Sequence, residues 1–160
     1  KVKLNLIKKL SECAGHVGIA GGQFLDLNYE KKNIDFKKII NMQRKKTGKL
    51  FEFCCLAPAV IAKKSLETQK EMSMVGEELG LLFQIADDLL DIKGYKKNTG
   101  KPVKKDKKKG KSTLIKLFGY EKTLEFALDR KKTIINKLKK YGKKSNKLIG
   151  VSDFILNRSF

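Results

Sequence analysis

The chain predicts an all-α fold, and two observations carry that expectation. Apolar residues recur at steps of three and four along most of the sequence, and no alternating run of β-branched residues marks a strand. The length, 160 residues, is about that of one domain and is enough to bury a core. No repeat or linker divides it.

The first helix opens on Leu4, Leu6, Ile7 and Leu10, spaced as an apolar stripe. Gly15, Gly18, Gly21 and Gly22 follow at close spacing. Within a helix each costs about 1 kcal/mol against alanine, so the run is read as a place of tight backbone packing, with Gln23 and Asp26 on a cavity wall. A long amphipathic helix is expected from about residue 35 to 64, capped by Asp35 and bent at Gly48 and Pro58. Lys46 and Thr47 sit at the first bend, where a break turns the lysine inward. The next helix covers roughly residues 67–92. Residues 93–112 lack apolar periodicity and are read as a lysine- and glycine-rich loop, and helices near 113–141 and 145–157 complete a bundle.

A formal net charge of +20 raises the question of nucleic-acid or anionic-membrane binding. The residue choice argues against it. Arginine occurs only at Arg44, Arg130 and Arg158, whereas nucleic-acid readers rely on its planar fork, and there is little aromatic interleaving. The lysines are read as solvated surface whose field still favours anionic substrates. Cys13, Cys54 and Cys55 are odd in number, lack a Cys-x-x-Cys spacing and have no ligand histidine nearby, so they are read as small core residues of a reduced, cytoplasmic protein. His16, the single histidine, is assigned local packing or capping. The longest apolar run, residues 53–62, contains Pro58 and is too short to span a bilayer, and no signal peptide is visible. A soluble chain without stable membrane insertion is expected.

Chemistry concentrates in Gly80-Leu-Leu-Phe-Gln-Ile-Ala-Asp-Asp-Leu-Leu-Asp91, which places three carboxylates and an amide at one end of an apolar helical stretch. Gln84, Asp87, Asp88 and Asp91 share one broad face and can point into a single cavity. Three like charges there repel, so burial either raises their pKa values or demands a metal that keeps them ionised. Oxygen ligands suit magnesium, which keeps most of its water and bridges to substrate phosphates. An acidic helix patch is commonly just a solvated face, but the surroundings change that reading. Lys46-Thr47-Gly48 lies upstream; Gly100-Lys101-Pro102, Asp106 and Gly110-Lys111-Ser112-Thr113 lie downstream, all phosphate-binding residue types.

Together with Gly21-Gly-Gln-Phe-Leu-Asp-Leu27, this set resembles the second half of a trans-polyprenyl diphosphate synthase, the family of farnesyl and geranylgeranyl diphosphate synthases. Five motifs occur in the family's order and at nearly its spacings, from about residue 4 to 158. Met42-Gln43 ahead of the Lys-Thr-Gly resembles the short-chain bacterial farnesyl diphosphate (geranyltranstransferase) branch, where other branches often carry histidine at the position of Gln43.

The resemblance implies an isoprenoid (terpenoid) synthase helical bundle, with residues 1–160 as the C-terminal part of a single domain. The family's first aspartate-rich motif and isopentenyl diphosphate site lie upstream of the matched region and are absent from this chain, so the fragment alone is expected to be inactive. It implies head-to-tail prenyl transfer between isopentenyl diphosphate and an allylic diphosphate, geranyl to farnesyl. In that scheme Asp87, Asp88 and Asp91 hold Mg2+; Lys46 and Thr47 contact the allylic diphosphate; Gln84 stands beside the reacting centre; Lys101 and Lys111 bind further diphosphate oxygens. Lys46, Gln84 and Asp87 are the expected catalytic residues, and a homodimer is the expected assembly. The stretch from Lys101 to Asp106 is one residue longer than in some relatives. Three rivals remain open at this point: a longer-chain synthase, a non-catalytic homologous subunit, and a basic nucleic-acid-binding bundle.

Overall fold

A computed structural model describes residues 1–98 and 113–158, and the regular elements among them are all helical. In chain order these are α1 (Val2–Ala14), α2 (Ile19–Asn28), α3 (Phe36–Gln43), a π turn (Arg44–Gly48), α4 (Lys49–Ile61), α5 (Leu66–Asn98), α6 (Leu114–Phe118), α7 (Tyr120–Leu138), a 3-10 segment (Lys139–Ser145) and α8 (Asn146–Asn157). Helix α5 is the axis of the bundle, packed chiefly along α4 and α7, with the π turn and α8 also against it.

The reason is visible in its side chains. Val75, Leu79, Leu81, Leu82, Ile85, Ala86 and Leu89 are all buried, on more than one side of the helix, so α5 needs neighbours around most of its circumference. Each fully buried leucine or isoleucine contributes about 1.5–3 kcal/mol relative to exposure. Ile39 of α3, Leu114 of α6, Ala127 and Ile134 of α7 and Ile155 of α8 close the same core. Helix α1 differs from its expected role: Leu4 and Ile7 face outward, and Cys13 is its buried residue.

The helix expected over 35–64 forms as three pieces. Asp35 caps α3 as anticipated, accepting from the Lys38 backbone N–H at 2.9 Å. The bend expected at Gly48 is a π turn, whose wider hydrogen-bonding absorbs an extra residue, and Pro58 lies inside α4 without ending it. Part of the stretch read as a loop is helical, since α5 reaches Asn98. The helix expected over 113–141 breaks at Gly119 into α6 and α7, and the chain tightens into the 3-10 segment after Leu138. Thr113 caps α6 through its hydroxyl.

A buried carboxylate ties three elements together. Glu78 of α5 is 8% exposed and accepts from Arg44 of the π turn at 2.8 Å and from Arg130 of α7 at 3.5 Å. At the residue before it, Glu77 accepts from Lys49 of α4 at 2.8 Å, and Lys49 also reaches Glu52 at 2.6 Å. Burial pulls the Lys49 ammonium down, but the hydrogen bonds to the two glutamates outweigh it and push it up to about 12. The cysteines divide: Cys13 is buried, and burial pushes the half-buried Cys55 thiol up to about 11, but Cys54 is exposed rather than a core residue.

Candidate active site

The π turn organises the site because two glycines let helices close on it. A Cβ on Gly22 of α2 would stand 2.2 Å from the Lys46 backbone nitrogen, and one on Gly80 of α5 would stand 2.6 Å from the Gly48 Cα. A side chain at either position would push the turn away. The tight-packing reading of the glycine run thus holds at Gly22.

Consecutive residues of the turn reach in different directions. Lys46 Nζ meets Asp26 Oδ2 of α2 at 2.6 Å, with both side chains largely buried. Thr47 Oγ1 donates to Gln84 Oε1 of α5 at 3.2 Å. Gln84 Nε2 donates in turn to Asp88 Oδ1, one helical turn on, at 3.4 Å. Asp88 Oδ2 accepts from Nε2 of Gln43, the last residue of α3, at 3.2 Å. Three elements, the π turn, α5 and α3, therefore converge on one polar ladder, and α2 meets the turn separately through Asp26. Of the other cavity-wall candidate, Gln23, the structure leaves the side chain exposed.

Asp87 takes a different partner. Its Oδ1 accepts from the guanidinium of Arg158, which lies 4.0 Å from the centroid of the Phe83 ring and donates to the Phe83 carbonyl at 3.3 Å. Phe83 is half-buried and packs on Phe51 with ring centroids 5.4 Å apart. Neighbouring residues of an α-helix diverge by about 100°, so Asp87 and Asp88 sit at opposite edges of the face they share with Gln84 and Asp91. Asp91 is exposed. Lys101 and Lys111 lie outside the described residues.

The donors here fit magnesium better than a softer ion. They are carboxylate oxygens of Asp87, Asp88 and Asp91 at one end of one helix, with no histidine or cysteine among them. Zinc prefers closed sets of nitrogen and sulfur ligands, whereas magnesium is held through one or two carboxylates and completes its shell with water and phosphate.

Two residues of this site carry little signal in the sequence. Gln43 is a polar side chain one turn after Ile39 on the buried face of α3, and a buried amide in an apolar stripe is the available clue. Arg158 stands out only as an arginine in a lysine-rich chain.

Residues 2–150 match the family model described as polyprenyl synthetase. A farnesyl diphosphate synthase from Geobacillus stearothermophilus is 35% identical over 131 residues, covering 80% of this chain and 44% of the relative. Among solved structures, an FPP/GFPP synthase from Zymomonas mobilis superposes with a TM-score of 0.82 at 31% identity, covering 96% of this chain and 51% of the other. A geranyltransferase from Helicobacter pylori, complexed with magnesium and isoprenyl diphosphate, superposes with a TM-score of 0.79 at 26% identity, covering 98% and 51%. The chain spans about half the length of the curated relatives it matches. On the family match over nearly its whole length and on its helical architecture, the chain belongs to the polyprenyl synthetase family, with the isoprenoid synthase fold.

Proposed function

We propose that this chain is the C-terminal part of a single prenyl synthase domain that condenses isopentenyl diphosphate with geranyl diphosphate to give farnesyl diphosphate and free diphosphate. In the reaction the allylic C1–O bond breaks and diphosphate departs. The isopentenyl double bond then attacks C1, and a proton is lost to restore an alkene. The observation that carries the reading is the ladder from Thr47 of the π turn through Gln84 to Asp88 of α5, with Lys46 beside Thr47 on the turn, within a chain matched to this family.

Asp87, Asp88 and Asp91 are the residues proposed to hold Mg2+, which supplies Lewis-acid neutralisation of charge on the leaving diphosphate. Lys46 and Thr47 meet the allylic diphosphate, with Lys101 and Lys111 as further phosphate ligands. Asp26 holds the Lys46 ammonium at the turn until a diphosphate competes for it. Gln84 presents its amide beside the reacting carbon, and the half-buried Phe83 ring offers a face that favours cations, as Arg158 already demonstrates. A homodimer in the cytoplasm completes the proposal, and among the described residues no helix is long and apolar enough to cross a membrane.

The test uses protein expressed from the complete reading frame, incubated with magnesium, isopentenyl diphosphate and geranyl diphosphate, with products sized by mass spectrometry. A fifteen-carbon product that disappears on chelation is expected. Longer products would keep the reaction and change the product assignment; absence of any magnesium-dependent product would overturn the reading.

A further inference from the structure

We infer that Gln43 is a positioning residue for this site, acting through Asp88 to hold the amide of Gln84. The inference rests on the function proposed above and adds a residue to it. An ionised carboxylate only accepts hydrogen bonds. Both glutamines that reach Asp88 must therefore present their NH2 groups to it: Gln43 to Oδ2 at 3.2 Å and Gln84 to Oδ1 at 3.4 Å. With its Nε2 on Asp88, Gln84 turns Oε1 toward Thr47, and a carbonyl oxygen also only accepts. The single Thr47 hydroxyl hydrogen is thus given to Gln84.

This ladder has a consequence on ligand binding. A diphosphate oxygen that draws the Thr47 hydrogen to itself releases Gln84 Oε1. Gln84 then keeps its orientation through Asp88, and Gln43, fixed in the buried end of α3, holds Asp88 from outside α5.

Burial argues that the Gln43 amide is not there for stability. The residue is 3% exposed and its Oε1 is buried without a hydrogen-bond partner. Leaving a buried acceptor unsatisfied costs free energy that an apolar side chain of similar size would not incur. The amide is explained by the donor it supplies to Asp88.

The experiment compares Gln43→Leu and Gln43→His in protein expressed from the complete reading frame. Histidine retains an N–H donor of similar reach. Gln43→Leu is expected to lower kcat by about 10- to 100-fold, the usual range for removing an outer-shell partner, with KM for both substrates nearly unchanged and the melting temperature undiminished. Gln43→His recovers most of the rate. Selective 15N-glutamine labelling reads the Gln84 side-chain amide directly: its resonance moves in Gln43→Leu and returns in Gln43→His. An unchanged kcat with an unmoved resonance overturns the inference, as does a loss of rate that tracks a lower melting temperature and is not rescued by histidine. If the wild type makes no prenyl product while the Gln84 resonance still responds to Gln43, the positioning ladder stands and the prenyl-transfer reading fails.

Discussion

In the first half of α5, Glu71, Glu77 and Glu78 each meet a cation brought by another element, whereas in the second half Asp88 takes an amide at each oxygen. Lys140 and Tyr141 meet Glu71, Lys49 meets Glu77, and Arg44 and Arg130 meet Glu78. Gln43 and Gln84 meet Asp88, and Arg158 from the end of the described chain meets Asp87. A guanidinium or ammonium cancels a carboxylate's charge and locks helices together. A neutral amide orients the carboxylate without cancelling it. On one helix the carboxylates of the first half are tied to cations of other elements, while in the second half amides reach Asp88 and a guanidinium reaches Asp87, two of the residues proposed above to meet a ligand.

The sharpest test of that contrast is Asp87→Ala. Turnover is expected to fall by about 10³-fold, the scale of losing a group that stabilises developing charge, well beyond what the accompanying stability loss explains, since Arg158 also loses its carboxylate partner. Retained turnover would count against the metal role. Glu78→Ala probes the opposite end and is expected to cost about 3–5 kcal/mol, because two guanidinium groups lose their buried partner. Urea unfolding reads it. Should Glu78→Ala leave stability intact, the packing role assigned to the first half of α5 would fail.

Gly80→Ala acts on both regions at once. Its Cβ would meet the Gly48 Cα at 2.6 Å, so the π turn must move. Overpacking of this kind costs about 1–3 kcal/mol. Turnover is expected to drop beyond what the stability loss explains, because Lys46 and Thr47 ride on that turn. A variant as active as the wild type would show that the turn tolerates displacement.

The smallest effect is alkaline. The Lys49 ammonium has a folded-state value of about 12, above the unfolded value of about 10.4. Its stabilisation is complete below the lower figure and is lost as pH rises through the higher one. Melting temperature measured across that window should decline in the wild type, and the decline should flatten in Lys49→Met. Glu52 has the opposite sign. Burial raises its carboxyl, but the hydrogen bonds from Lys49 and Ser73 prevail and hold it below the usual range. Its contribution is complete above about 4.3 and is lost as pH falls through the lowered value.

Much of the molecule was legible from spacing alone. Apolar residues at steps of three and four located α5 and its acidic end, and Asp35 announced the start of α3. The order of Gly21-Gly22, Lys46-Thr47 and Gln84 to Asp91 points to the family on its own. Where the reading stopped is equally specific. The π turn changes the backbone hydrogen-bonding register without altering the apolar pattern, so a bend at Gly48 was predictable and its form was not. Gly22 is legible as a close approach, but that its neighbour is the backbone of Lys46 depends on how α2 and the π turn stack.

By itself the sequence determined the helical class, the motif set and which carboxylates share a face of α5, because these follow from the backbone geometry of single helices. Tertiary structure decided that Asp88 is held by Gln43, 45 residues away, and Asp87 by Arg158, 71 residues away. Such pairings have no local periodicity to betray them. They exist only once α3, the π turn, α5 and α8 have packed their apolar faces and brought the polar ends of those helices to one place.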